Sequence, residues 1–162
     1  MSDDKNVFGR HDEAQQKQYE REARLQYGPG TVNESIKRWN NYTSDEQDAI
    51  MAEGNRIYTD VVKLIEAGKA PDSKEMTEIL DRWQQHLHHF YEPTLEILAG
   101  LGELYNTNPD FIRNFQKLHV DLPAYLQQAI AIYVDELETA AIERMLAEDE
   151  ADMNRRTNNL SS

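Results

Sequence analysis

Helix-start signals recur along this chain more densely than any other local pattern, and they restrict it to an all-helical fold. Three segments open as capping boxes: Thr31-Val32-Asn33-Glu34, Thr43-Ser44-Asp45-Glu46 and Asp72-Ser73-Lys74-Glu75. In each, a side-chain oxygen at the N-cap accepts from the amide three residues on, while the glutamate reaches back to the N-cap amide. Two further starts place proline at or near the first helical position: Asn108-Pro109, and Asp121 with Pro123 close behind. The Val-, Ile- and Thr-rich alternation that builds strands is absent.

The expected helices cover about 10–26, 32–41, 44–67, 73–91, 94–106, 109–117 and 122 to about 148. The first stops at Tyr27-Gly28-Pro29-Gly30, and the third carries Ile50, Ile57, Val61, Leu64 and Ile65 before Gly68, a natural residue to follow a helix end. A length of 162 residues suits one domain. Residues 43–147 hold most of the apolar stripes and read as the core. Residues 1–42 have few anchors, chiefly Tyr19, Leu25, Tyr27, Val32, Ile36 and Trp39, and read as a mobile helical arm. Residues 148–162 are polar with little to bury and read as a disordered tail.

Charge narrows the partners. With 17 basic against 30 acidic residues the formal charge is −13, so the surface repels phosphate backbones and direct nucleic-acid binding is not expected. The absence of cysteine removes disulfides, thiolate metal sites and thiol nucleophiles, and fits a reducing cytoplasm. No apolar run approaches the ~20 residues of a membrane span, and the N-terminal MSDDKNVFGRHDE lacks the order of a signal peptide. A cytoplasmic protein without a membrane partner is the expectation.

Three of the five histidines crowd into Gln85-His86-Leu87-His88-His89-Phe90-Tyr91-Glu92-Pro93. Stepping about 100° per residue, His86 falls beside Trp83 and Phe90 on the apolar stripe, His89 at its edge, and His88 on the opposite side. His86 and His89 could share an ion, but zinc wants a further ligand and none stands at a diagnostic spacing, so no metal is assigned. An axial haem role for His86 is weaker than that of a hydrogen-bonded pocket residue. No GxSxG, Gly-rich phosphate loop or paired-carboxylate signature is present, so neither catalytic residues nor a cofactor are assigned.

Most aromatic side chains fall on inward stripes, where core packing is their ordinary role. Tyrosine is the informative type, because each buried hydroxyl needs a partner. Several inward tyrosines around one inward histidine give polar handles on an apolar space, as small-molecule pockets do. Gly100 and Gly102 either let two helices approach or leave volume for a ligand.

The runs WNNYTSDEQDAI, GKAPDSKEM, QHLHHFYEPTLEILAGLGELY, NPDFIRNFQK and LPAYLQQAIAIY occur in an ordered succession that resembles the TipAS-type antibiotic-recognition domain of MerR-family regulators. The resemblance covers about 15–137, and its most specific pieces are Phe90, Tyr91, Glu96, Gly100, Leu101, Glu103, Leu104 and Tyr105, with Asn108, Pro109 and Phe111. It implies a globin-like helical fold without haem, whose N-terminal helices close over a multi-ring peptide antibiotic. It further implies Phe90 and Tyr91 at the cleft border, Thr94, Leu98, Phe111 and Phe115 as floor or wall, and Trp39 and Tyr42 on the lid. Trp83 and His86 join this set from their own helical face.

Two departures accompany the resemblance. Founding members carry, after the FYP stretch, a cysteine that bonds to dehydroalanine-bearing antibiotics, whereas Pro93 stands here. The family's DNA-binding half is also not seen ahead of the domain, which leaves a stand-alone binder or one half of a longer regulator. The expected function is non-covalent antibiotic binding for drug sensing or sequestration. The alternative is a protein–protein domain that dimerises through the acidic last helix, which carries Glu136, Glu138, Glu143, Glu148, Asp149 and Glu150.

Overall fold

The computed structural model describes residues 29–161, and among them every regular element is a helix. The order is α1 (Pro29–Asn41), α2 (Ser44–Glu66), α3 (Lys74–Leu87), α4 (Leu95–Tyr105), α5 (Pro109–Gln116) and α6 (Leu122–Ser161). The helix expected over 10–26, with Tyr19, Leu25 and Tyr27, lies outside the described residues. Among the described residues no helix is long and apolar enough to cross a membrane.

The caps explain where most helices begin. Thr43 and Glu46 form the full capping box of α2, and Asn108 accepts from the amides of Asp110 and Phe111 to start α5 behind Pro109. Two expected starts shift. The N-cap of α3 is Ser73, whose hydroxyl accepts from the Met76 amide, one residue later than Asp72. Because α1 already includes Pro29 and Gly30, Thr31 lies inside the helix and is not its N-cap. At the far end of α2, Gly68 adopts a φ of 74°, and the amides of Lys69 and Gly68 close back on the carbonyls of Leu64 and Ile65 at 3.0 Å each. That is a Schellman ending, and the positive φ is what asks for glycine.

Two helix ends differ more. The helix expected to reach about 91 stops at Leu87, and the chain turns through His88–Phe90 with the Phe90 amide on the Leu87 carbonyl at 2.9 Å. Pro93 excludes helical backbone at Glu92, so the chain leaves the helix before it arrives there. In the other direction, residues 148–161, read as a disordered tail, continue α6. Their Ala, Glu, Met, Leu and Arg content favours helix without any burial, and Arg155 and Arg156 both pair with Asp152 one turn back.

The core lies between two helix pairs. Ile57, Tyr58 and Val61 of α2 share it with Met76, Ile79, Leu80 and Trp83 of α3. Leu98, Leu101 and Tyr105 of α4 share it with Leu122, Leu126, Ala129, Ile130, Tyr133 and Val134 of α6, and Phe115 closes it from α5. At Gly102 α4 lies tightly against α6: a Cβ there would sit 2.8 Å from Ile130 Cγ2. Its role is close approach, one of the two open from sequence. The Tyr125 hydroxyl donates to the carbonyls of Lys69 and Ala70, and the Tyr133 hydroxyl to Asp81 at 2.6 Å and Gln84 at 2.8 Å, so α6 is pinned to both ends of the α2–α3 layer. Beyond Leu137 the side chains of α6 are almost all exposed.

Candidate ligand-binding site

The aromatic residues divide into two groups. The inner group is Tyr58, Trp83, Tyr105, Phe111 and Phe115. Tyr105 has ring centroids 5.0 Å from Phe115 and 5.3 Å from Phe111, and Tyr58 meets Phe115 edge-on at 4.9 Å. The polar atoms here are paired: Trp83 Nε1 donates to the Tyr105 hydroxyl at 3.4 Å, and the Tyr58 and Tyr105 hydroxyls share a bond at 3.3 Å. Burial holds both phenols above their ordinary titration range, so they stay neutral donors and acceptors.

The outer group forms where α1 lies across the end of α3. Trp39 stacks on Phe90 with centroids 5.6 Å apart and planes 27° from parallel. Tyr42 meets His89 edge-on, and its hydroxyl is 3.0 Å from His89 Nδ1. Arg38 donates to the His88 carbonyl at 2.9 Å, and Gln47 of α2 donates to the Trp39 carbonyl at 2.9 Å. The unwound turn at 88–90 makes this docking possible, because leaving the helix frees the His88 carbonyl to accept from outside. His86 packs edge-on against both His89 and Phe90, at 5.7 and 5.6 Å.

The three histidines occupy the faces that helical spacing assigns: His86 is buried, His89 half-buried and His88 exposed. The His86 ring lies against α2 at Gly54, where a Cβ would stand 3.0 Å from Nε2. Burial pulls the His86 imidazole below its ordinary pKa, with the Glu53 carboxylate working the other way. Glu53 Oε1 stands 3.8 Å from His86 Nδ1, too long for a hydrogen bond, and Nδ1 has no hydrogen-bond partner among the described residues.

The residues expected to bind ligand are thus distributed over both groups. Trp39, Tyr42, His86 and Phe90 gather at the α1–α3 edge, all but His86 half-buried, while Tyr91, also half-buried, packs against the core cluster. Phe111 is half-buried and connects inward. Trp83, Leu98 and Phe115 are fully buried and stand in the packed core beneath. Thr94 is exposed and serves as the N-cap of α4, accepting from the Ile97 amide. Sequence reading missed Arg38 and Glu53. Glu53 had a signal: it lies three residues after Ile50 and four before Ile57, a charge on the border of an apolar stripe. It also supplies what the histidine pair lacked, since ligand atoms of Glu53, His86 and His89 all lie within 4.8 Å of one another.

A packed helical body with an aromatic edge, covered by one helix held through a few side-chain contacts, is the architecture of a helical ligand-recognition domain. The chain belongs to the TipAS antibiotic-recognition domain family, which it matches over residues 19–133. It is 34% identical over 127 residues to the HTH-type transcriptional activator mta of Bacillus subtilis (strain 168), covering 78% of this chain and 49% of that protein. It is 29% identical over 126 residues to the HTH-type transcriptional activator TipA of Streptomyces coelicolor, covering 76% and 49%. The chain therefore spans about half the length of these curated relatives. Among solved structures, TipAS from Streptomyces lividans in complex with nosiheptide superposes with a TM-score of 0.68 at 27% identity, covering 80% of this chain and 90% of that one.

Proposed function

We propose that this domain binds large, ring-rich thiopeptide-type antibiotics non-covalently at the α1–α3 edge, for drug sensing in a transcription regulator or for drug sequestration. The observation that carries the reading is the attachment of α1. Trp39, Tyr42 and Arg38 hold it to the 86–90 turn through one ring stack and two hydrogen bonds, each worth about 1 kcal/mol. A lid held so lightly can lift and re-close over a guest whose rings replace the stack between Trp39 and Phe90. Phe90, Tyr91 and Phe111 offer apolar faces to such a guest, Tyr42 and His86 offer polar atoms, and Thr94 stands at the mouth. Trp83, Leu98 and Phe115 back the site from the core.

Lifting and re-closing of α1 over the guest is the conformational change that an attached regulatory half would read. Because the chain has no thiol to add to a dehydroalanine, capture is reversible, and recognition rests on shape and stacking rather than on catalysis. Amide exchange in residues 29–41, measured with and without saturating nosiheptide, tests the lid. Slower exchange and a raised unfolding temperature are expected. Unchanged exchange in α1 at saturation removes the lid from the reading.

A second reading has its own observation. Ile142, Met145, Leu146, Met153 and Leu160 are all more than half exposed on the distal part of α6. Pairing of two such helices would cover them, and a mass measurement over a range of concentrations separates a dimer from a monomeric binder.

A further inference from the structure

We propose that Glu53, His86 and His89 form a binding site for one divalent transition-metal ion, of the zinc class, that fastens α2 to the end of α3 beneath the α1 lid. Glu53 of α2 meets His86 and His89, three residues apart at the end of α3, with the ligand atoms all within 4.8 Å of one another. Two imidazoles and one carboxylate are a donor set suited to zinc, with solvent or a guest's polar atom in the fourth position. Metal–ligand bonds of about 2.0–2.1 Å require tetrahedral ligand atoms to stand about 3.3–3.5 Å apart. The His86 Nδ1 to Glu53 Oε1 separation of 3.8 Å is already close to that. The other pairs lie within 4.8 Å, and because Glu53 and His89 are half-buried, rotamer changes can bring their ligand atoms the remaining distance of up to about 1.5 Å.

The second observation is His86 itself. Its side chain is 9% exposed, yet Nδ1 has no hydrogen-bond partner among the described residues and faces Glu53. A buried nitrogen lone pair without a partner is costly, and a metal ion satisfies it. The surroundings match what a metal-ligating histidine needs in its outer shell. Tyr42 engages Nδ1 of His89, which orients the ring and assigns Nε2 to the ion. Gly54 leaves the His86 ring room to lie flat on α2, where a Cβ would press on Nε2 at 3.0 Å. Since Tyr42 follows directly on α1, an ion bound here also steadies the closed lid.

The test is titration of tag-free protein with cobalt(II), followed by the visible d–d absorption of a tetrahedral site, and with zinc(II) against a chelating dye. One saturable ion per chain is expected. Glu53→Gln and His89→Gln, both at half-buried positions, should each abolish the d–d band, while Tyr42→Phe weakens binding on the order of tenfold. His88→Gln, at the exposed pair with Glu92, should leave it unchanged. Thermal unfolding of each variant without metal confirms that the fold persists. Absence of saturable binding overturns the site, and so does binding that survives both Glu53→Gln and His89→Gln. Nosiheptide binding is read separately, so either proposal can fail while the other stands.

Discussion

The indole of Trp39 lies on the Phe90 ring with centroids 5.6 Å apart, and this stack joins the first described helix to the turn that ends α3. Neither residue is in the main core, so the contact joins two parts of the molecule without being part of its foundation. Trp39→Ala should therefore leave the unfolding temperature nearly unchanged while amide exchange in residues 29–41 accelerates. An offset aromatic pair contributes about 0.5–1.5 kcal/mol, so nosiheptide affinity should fall roughly two- to tenfold. Calorimetric titration reads the second effect, and equal affinity for wild type and variant argues that the guest binds elsewhere.

The α4–α6 contact at Gly102 predicts the opposite profile. A methyl group at this position meets Ile130 Cγ2 at 2.8 Å, so Gly102→Ala must push two core helices apart. The cost should be about 1–3 kcal/mol in urea unfolding. Combined with Ile130→Ala, the loss should be smaller than the sum of the two single losses, because the second change removes the atom that the first one strikes. Strict additivity would count against the clash.

Tyr105 offers a third case. Its hydroxyl accepts from Trp83 and shares a bond with Tyr58, and all three side chains are buried. Tyr105→Phe removes a hydrogen-bond partner of both the Trp83 indole and the Tyr58 hydroxyl in an apolar interior, at a cost of about 1 kcal/mol. Chemical denaturation measures the loss, and the altered surroundings of the Trp83 indole should shift its fluorescence.

Ending the chain at residue 140 should do little to the domain. From Ile142 to Leu160 the large apolar side chains are exposed, and they contribute nothing to the core cluster. The shortened protein should unfold within a few degrees of the full chain. If the distal helix pairs with a second copy, the same truncation converts a dimer to a monomer in a sedimentation experiment.

What the sequence disclosed follows from which forces are local. Thr43, Asn108 and Gly68 announce helix boundaries because a cap is decided within four residues. The inward and outward histidines were legible too, because His88, just past the end of α3, keeps right-handed helical backbone at φ −60° and ψ −20°, so the rotation carries on into the turn. The extent of α6 was not: apolar periodicity fades after Leu137, and only intrinsic propensity and ion pairs carry the helix onward. Nor could spacing reveal that Glu53 meets His86, since the two sit on separate helices whose relative placement depends on the whole core. The division of aromatics between core and edge was hidden too, because Trp83 stays on α3 in the core whereas Phe90 falls in the turn beyond its early end.

Forty residues at about 1.5 Å each make α6 a rod about 60 Å long, of which only the first part is gripped. From Leu137, the last side chain packed against the core, to Leu160 the rod extends roughly 35 Å. A tilt of about 10° of that free length swings its tip by about 6 Å, on this same rise per residue. The free length thus has the geometry of a lever arm, in which a rotation of the gripped part becomes a displacement of the tip as wide as a side chain.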